Sequence, residues 1–241
     1  MPEKPLGKKN YGSIPHLPDS RMGIGDHKCS EGQARIATVQ TRDKHDEVIV
    51  TEKLDGSNVG VAKLDNFLYP LSRAGYMACH SPYEQHQHFY KWVFENYWRF
   101  HNLLREGERL VGEWLMQAHG TRYELKHEPF VAFDLMKDDN RLTYDELITR
   151  INNQFVTPTL IHRGPAISIK EVMARLGKYG FHGAIDEVEG AVWKVERDVP
   201  NKKKVVDFLV KYVRPEKQDG IYLPEVSKKW PVWNWYPNNE E

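Results

Sequence analysis

Thr51-Glu52-Lys53-Leu54-Asp55-Gly56-Ser57-Asn58 follows directly on the apolar run Val48-Ile49-Val50, so a strand hands Lys53 to a turn carried by Asp55-Gly56. An ammonium at the end of a buried strand either finds a carboxylate or loses its proton, and a deprotonated lysine is a nucleophile. Nearby cations push it toward the neutral form. Standing alone, K-x-D-G equally describes a surface lysine beside a hairpin turn, so the reading depends on what accompanies it.

The company comes in a fixed order. After Lys53 follow Ser72-Arg73-Ala74-Gly75, Leu110-Val111-Gly112-Glu113-Trp114, Phe130-Val131-Ala132-Phe133-Asp134, Val188-Glu189-Gly190-Ala191-Val192-Trp193-Lys194 and Asp207-Phe208-Leu209-Val210-Lys211-Tyr212. This series resembles the ordered motifs of the covalent nucleotidyltransferases, which include ATP-dependent DNA ligases, RNA ligases and capping enzymes. With Glu52 before the lysine and Asn58 closing the motif, it looks most like the RNA ligases of the nick-sealing and RNA-editing type. The resemblance spans roughly residues 50 to 214.

That likeness implies an α+β fold of antiparallel sheets with flanking helices around an ATP cleft. It implies catalytic roles for Lys53, Asp55 and Lys211, with Asp55 orienting the lysine or acting as a base. The implied nucleotide-binding set is Glu52, Lys53, Asn58, Arg73, Glu113, Phe133, Glu189, Lys194 and Lys211. Within it, Glu113 accepts from the ribose, Phe133 stacks on adenine, Glu189 helps hold Mg²⁺ or Mn²⁺, and Lys194 and Lys211 contact phosphate. The family's closing motif often has two lysines two residues apart, and here Leu209 stands at the first position. Lys204 and Arg214 are the candidates to compensate.

The residues carry readings of their own. Val59 to Leu64 and Phe67 to Leu71 form a hairpin around Asp65-Asn66, which returns Arg73 toward Lys53, where a guanidinium can hold phosphate or sugar. Alternation puts Glu113 on the face of Val111 and Leu115, where a carboxylate needs a donor. Periodicity alone makes Phe133 a core residue. Glu189 at a strand mouth, beside a glycine that allows close approach, suits a hydrated magnesium ion.

Elsewhere the chain reads as scaffold. Ser81-Pro82-Tyr83-Glu84 announces a helix, and Phe89, Trp92, Val93, Phe100, Leu103 and Leu104 recur at helical spacing as a core stripe. His86, His88 and His101 read as surface residues. Thr143-Tyr144-Asp145-Glu146 and Ser168-Ile169-Lys170-Glu171 are capping boxes whose helices run to about Asn152 and Gly177, with Phe155 to Ile161 a strand between them. Lys202-Lys203-Lys204 reads as a hairpin tip before the strand Val205 to Val213.

Bulk properties bound the rest. The chain has 241 residues, 40% of them hydrophobic, enough for one sizeable core. Lys+Arg and Asp+Glu are both 34, so any basic track is local rather than global. Cys29 and Cys79 show no metal or disulfide spacing and suit a reducing cytosol. No signal core and no membrane-spanning run is visible, so a cytoplasmic protein without membrane contact is expected.

Three segments follow: a loop-rich arm over 1–40, an adenylation domain over 41–216 and an aromatic tail over 217–241. The arm carries Lys8, Lys9, His16, Arg21, His27 and Lys28, which either track phosphates or pack on the domain edge; its Gly and Pro content predicts an ordered loop. The tail, with Trp230, Trp233, Trp235 and Tyr236, either stacks on bases or packs back. With no appended barrel or helical domain expected, substrate grip falls to the arm, the tail, self-association or a protein partner. The expected activity is ATP-dependent joining of RNA 5′-phosphate and 3′-hydroxyl ends through lysyl-AMP. A DNA ligase of the same chemistry and a non-catalytic nucleotide- or RNA-end-binding protein are the alternatives.

Overall fold

Apolar runs of alternating burial, broken by turn residues, give the chain nine strands among its described residues, 3–199 and 203–236 of the computed structural model. In order the elements are α1 (Glu31–Thr38), β1 (Glu47–Lys53), β2 (Ser57–Leu64), β3 (Phe67–Ser72), α2 (Glu84–Glu95), α3 (Tyr97–Leu103), β4 (Glu108–Trp114) and β5 (Phe130–Lys137). They continue with β6 (Asn140–Arg141), α4 (Tyr144–Ile151), β7 (Leu160–Gly164), α5 (Ile169–Leu176), β8 (Gly190–Arg197), β9 (Val205–Val213) and α6 (Pro224–Ser227). Two compact units share them. One comprises Met1–Gly12, Gly56–Gln117 and His127–Thr157, and the other Ser13–Asp55, Ala118–Lys126 and Pro158–Glu241. The chain therefore passes from one unit to the other between Asp55 and Gly56.

The second unit holds a four-stranded antiparallel sheet in the order β7-β1-β8-β9. Val48 and Val50 of β1, Ala191, Trp193 and Val195 of β8 and Val210 of β9 form its core face, against Ala34 and Ala37 of α1 and Val172 of α5. The pleat turns the alternate residues the other way. By register Ile49 lies beside Lys194, Lys53 beside Gly190, Val192 beside Lys211 and Lys194 beside Leu209, so Lys53, Lys194 and Lys211 share one face. The outer edge of β9 is covered by residues 15–17, whose backbone bonds flank Lys211.

The first unit holds a five-stranded antiparallel sheet, β3-β2-β4-β5-β6. Its β2–β3 hairpin closes through Asp65 and Asn66, at φ 50° and 65°, the left-handed pair a tight hairpin turn requires. The predicted stripe is buried: Phe89, Val93 and Phe100 are fully enclosed, with Trp92, Leu103 and Leu104 nearly so. These side chains join Trp114, Phe130 and Phe155 in an aromatic cluster, with ring centroids 5.3 Å apart for Phe89–Trp114 and 4.6 Å for Phe100–Phe155.

Some local expectations need correction. Residues 31–38 are helical, not loop, because Ser30 and Gln33 form a capping box that the surrounding glycines and prolines obscure. The helix expected from Ser81 starts at Glu84 with Tyr83 as its cap; Ser81 Oγ accepts from Tyr83 N at 3.3 Å instead. The strand expected over 155–161 splits. Val156 bridges to β5, Pro158 has no N–H to donate, and pairing resumes only at Leu160. In the Lys202–Lys204 run, Lys202 lies outside the described residues, while Lys204 pairs with Glu47 at 2.5 Å. Both capping boxes at Thr143 and Ser168 are formed, and their helices end at Asn152 and Gly177.

Candidate active site

β1 delivers Lys53 to its last position, and β8 enters opposite it at Gly190. A side chain on Gly190 would overlap the Tyr212 carbonyl oxygen, so glycine is required where β8 meets β9. Glu189, immediately before, accepts from Lys53: Nζ lies 2.5 Å from Oε2, with the two side chains 21% and 11% exposed. Of the two fates open to a half-buried ammonium, this is the first, a carboxylate partner. Burial pushes the Glu189 carboxyl up and Lys53 draws it down; Asp55 raises it, Lys217 lowers it, and the net direction is upward.

Asp55 has its own partners. Its Oδ2 accepts from Gly120 N at 3.0 Å and Thr121 Oγ1 at 3.2 Å, and lies 3.1 Å from Lys217 Nζ. Lys217 is 7% exposed and also donates to Thr121 Oγ1 and to Glu187 O. A Cβ on Gly120 would press on Asp55 Oδ2, so the turn stays bare there. Sequence reasoning missed Gly120, Thr121 and Lys217, because they sit in stretches with neither periodicity nor a motif. Tyr123, fully enclosed, accepts from Asp55 N at 3.1 Å, and burial together with Asp55 pushes its hydroxyl far up.

Alternation sends Glu52 to the face opposite Lys53. It is 1% exposed, its Oε2 accepts from Phe181 N at 2.9 Å and its Oε1 has no hydrogen-bond partner among the described residues. Burial pushes its carboxyl up to about 7 against the pull of that amide. Lys194 is 8% exposed on the lysine face. Lys211 Nζ lies 3.5 Å from Asp26 Oδ1. Arg214 donates to Gly177 O.

The remaining predicted residues belong to the first unit. Asn58 and Glu113 are register partners across β2 and β4. Glu113 Oε1 accepts from Gly56 N at 3.1 Å, and Asn58 Oδ1 is buried without a hydrogen-bond partner. Phe133 falls at a bulge, since Val111 pairs with Asp134 and Gly112 with Ala132. Bulges re-aim side chains. Its ring is half-buried, edge-on to Tyr11 at 5.3 Å. Arg73 is exposed after β3, its carbonyl accepting from Tyr11 N at 3.4 Å.

His86 is not a surface residue. It is buried, with Nε2 2.6 Å from Ser57 Oγ and Nδ1 2.7 Å from Ser81 Oγ. Among the described residues no group of three or more His, Cys, Asp or Glu side chains could hold a metal ion by itself, and no helix is long and apolar enough to cross a membrane.

Two antiparallel sheets with flanking helices, one presenting a lysine at a strand end, define an α+β fold of the nucleotidyltransferase type. Solved structures share it. A mutant of the Naegleria gruberi RNA ligase with ATP and Mn superposes with a TM-score of 0.53 at 16% identity, covering 83% of this chain and 59% of that one. An apo mutant of the same ligase gives 0.52 at 17% identity, covering 95% and 64%. The RNA ligase family model matches residues 46–213, and the chain belongs to that family. No curated protein matches it significantly in sequence. The first solved structures it resembles are longer, and the chain spans 43% to 64% of their lengths.

Proposed function

We propose that this chain is an ATP-dependent RNA ligase that adenylylates itself on Lys53 and passes AMP to an RNA 5′-phosphate for sealing by a 3′-hydroxyl. Family membership over 46–213 supports the class. The single observation that carries the residue assignment is the 2.5 Å Lys53–Glu189 pair on the face that also bears Lys194 and Lys211. Three ammonium groups on one sheet face are a donor set suited to a triphosphate co-substrate.

Glu189 Oε2, 2.5 Å from Lys53 Nζ, is placed to take its proton, and burial shifts that carboxyl upward. The freed amine attacks the α-phosphorus in line, forming the N–P bond as the bond to pyrophosphate breaks. Lys194 and Lys211 offset the charge on the phosphate oxygens. Asp55, engaged by Gly120, Thr121 and Lys217, fixes the turn after Lys53. An RNA 5′-phosphate oxygen then takes the adenylyl group and the lysine nitrogen regains its proton; a 3′-hydroxyl finally displaces AMP. In this reading Asn58, Glu113 and Phe133 bind the nucleoside, and Glu52, enclosed behind the sheet, supports Lys53 through the strand.

With that proton passed on to solvent, the Glu189 carboxylate would be the hard oxygen donor here to hold Mg²⁺ or Mn²⁺. When bound, the ion neutralises charge on the departing pyrophosphate. The free thiols of Cys29 and Cys79 are compatible with a cytoplasmic setting.

Incubation with α-labelled ATP and Mg²⁺ should give covalent AMP on the wild type and none on Lys53→Ala. An unlabelled wild type, or undiminished labelling of the variant, would overturn the proposal. Presenting nicked RNA and nicked DNA side by side then decides the substrate: equal sealing of DNA removes the RNA assignment, and ATP binding without pyrophosphate release removes catalysis.

A further inference from the structure

Residues 15–17 run beside β9, with Lys211 N donating to Pro15 O at 3.0 Å and Leu17 N to Lys211 O at 2.8 Å. This pairing buries His16, which is 1% exposed. Its Nδ1 lies 2.7 Å from Ser20 Oγ and its Nε2 3.1 Å from Asp26 Oδ2. Ser20 Oγ in turn accepts from Val213 N at 2.9 Å, two residues beyond Lys211 on the same strand. Asp26 Oδ2 accepts from Gly23 N at 2.9 Å, and its Oδ1 faces Lys211 Nζ at 3.5 Å.

The proton arrangement follows from these contacts. Burial, aided by Lys211, holds His16 below the ordinary imidazole value, so the ring is neutral at pH 7. The two ring nitrogens meet Ser20 Oγ on one side and Asp26 Oδ2 on the other. Burial alone would raise the Asp26 carboxyl, but the Gly23 amide, Lys211 and His16 together keep it below its usual range and ionised. A lysine carries its charge on a flexible four-carbon stem, and a fixed carboxylate beside it limits where that charge can go.

We infer that Asp26, held by His16 and Gly23, is a positioning residue for Lys211, so that residues 15–28 belong to the phosphate-handling face although they lie outside the family-matched span. This rests on the reading of Lys211 as a phosphate contact. Nothing in the ordered motifs points to Asp26.

The test is adenylylation kinetics with α-labelled ATP and Mg²⁺ on the full chain, alongside thermal melting. Asp26→Asn should lower kcat roughly tenfold or more, the scale expected when a charged group is misplaced, while KM for ATP and Tm stay near wild type. Asp26→Glu should recover most of the loss. His16→Gln, which loosens Asp26 without removing it, should lower kcat less in the same pattern and decides the matter should Asp26→Asn fail to fold. A wild-type kcat in Asp26→Asn, or a loss matched by a fall in Tm that Asp26→Glu does not recover, would overturn the inference. Without labelling of the wild type the ligase reading falls and takes this with it; with that labelling in hand, a negative result removes only the role of Asp26.

Discussion

The unit built on β7-β1-β8-β9 and the unit built on β3-β2-β4-β5-β6 both bury ionisable groups, but they do so for different ends. In the first, lysines meet carboxylates side by side: Lys53 with Glu189 at 2.5 Å, Lys217 with Asp55 at 3.1 Å and Lys211 with Asp26 at 3.5 Å. In the unit of β3-β2-β4-β5-β6, Asp134, 1% exposed, is clamped by the Tyr11 hydroxyl at 2.5 Å and Arg141 Nε at 3.1 Å. Pairs of flexible ammonium groups can exchange a carboxylate for a phosphate. A carboxylate clamped by a buried hydroxyl and a guanidinium stays put and fixes one packing. Exchangeable ion pairs and clamped ones are thus lodged in different sheets.

Five substitutions press on that contrast. The largest effect belongs to the aromatic cluster: Phe130→Ala, at a fully enclosed ring, should cost about 3–5 kcal/mol of stability in urea unfolding. A loss below about 1 kcal/mol would show that the cluster does not hold its unit. Lys53→Ala should cost less than Phe130→Ala, because burial biases the Glu189 carboxyl left behind toward its neutral form.

Next comes Glu52, whose buried carboxyl titrates at about 7 instead of the ordinary 4.5. A folded-state value above the unfolded one means that the native chain holds the proton longer, so this stabilisation is complete below the unfolded value and is lost as pH rises through 7. Glu52→Gln should therefore match wild type near pH 4 and exceed it by up to roughly 3 kcal/mol at pH 8, the size such a shift corresponds to. Unfolding midpoints across that range check it; a gap that ignores pH would mean the carboxylate finds a partner when charged.

Smaller effects fall on hydrogen-bonded supports. His86→Ala strands Ser57 and Ser81 and should cost about 2 kcal/mol. Hydrogen exchange at the start of α2 should rise with it, and unchanged exchange would mark the bridge as incidental. Ser168→Ala removes the cap of α5, which packs on the β8 core face, and should cost about 1 kcal/mol by thermal melting.

Local chemistry was legible where the information lies within a few residues. The Thr143 and Ser168 capping boxes, the Asp65-Asn66 hairpin and the strand periods around Lys53 and Glu189 each need only nearest neighbours. Ser30-Gly32-Gln33 shows how such a signal is lost: the capping box was present, but the glycines and prolines around it argued for loop. His86 shows another limit. Its burial depends on Ser57 arriving from a strand 29 positions away, and no spacing on its own helix announces that. Phe155 to Ile161 looked continuous because apolar residues span it, whereas the missing amide of Pro158 and the move between units divide it.

The sequence by itself determined the family, the position of Lys53 at a strand end and the alternation within each strand, since pleat and motif order are properties of the chain read in line; that Lys53, Lys194 and Lys211 share one face came from the strand register. Only the tertiary structure decided which carboxylate each lysine meets. Glu189 is 136 residues from Lys53, and Asp55 found Lys217 in a stretch read as the start of a tail. The physical reason is that an ion pair depends on distance and burial in space, and both are set by which segments pack together rather than by the residues beside each charge.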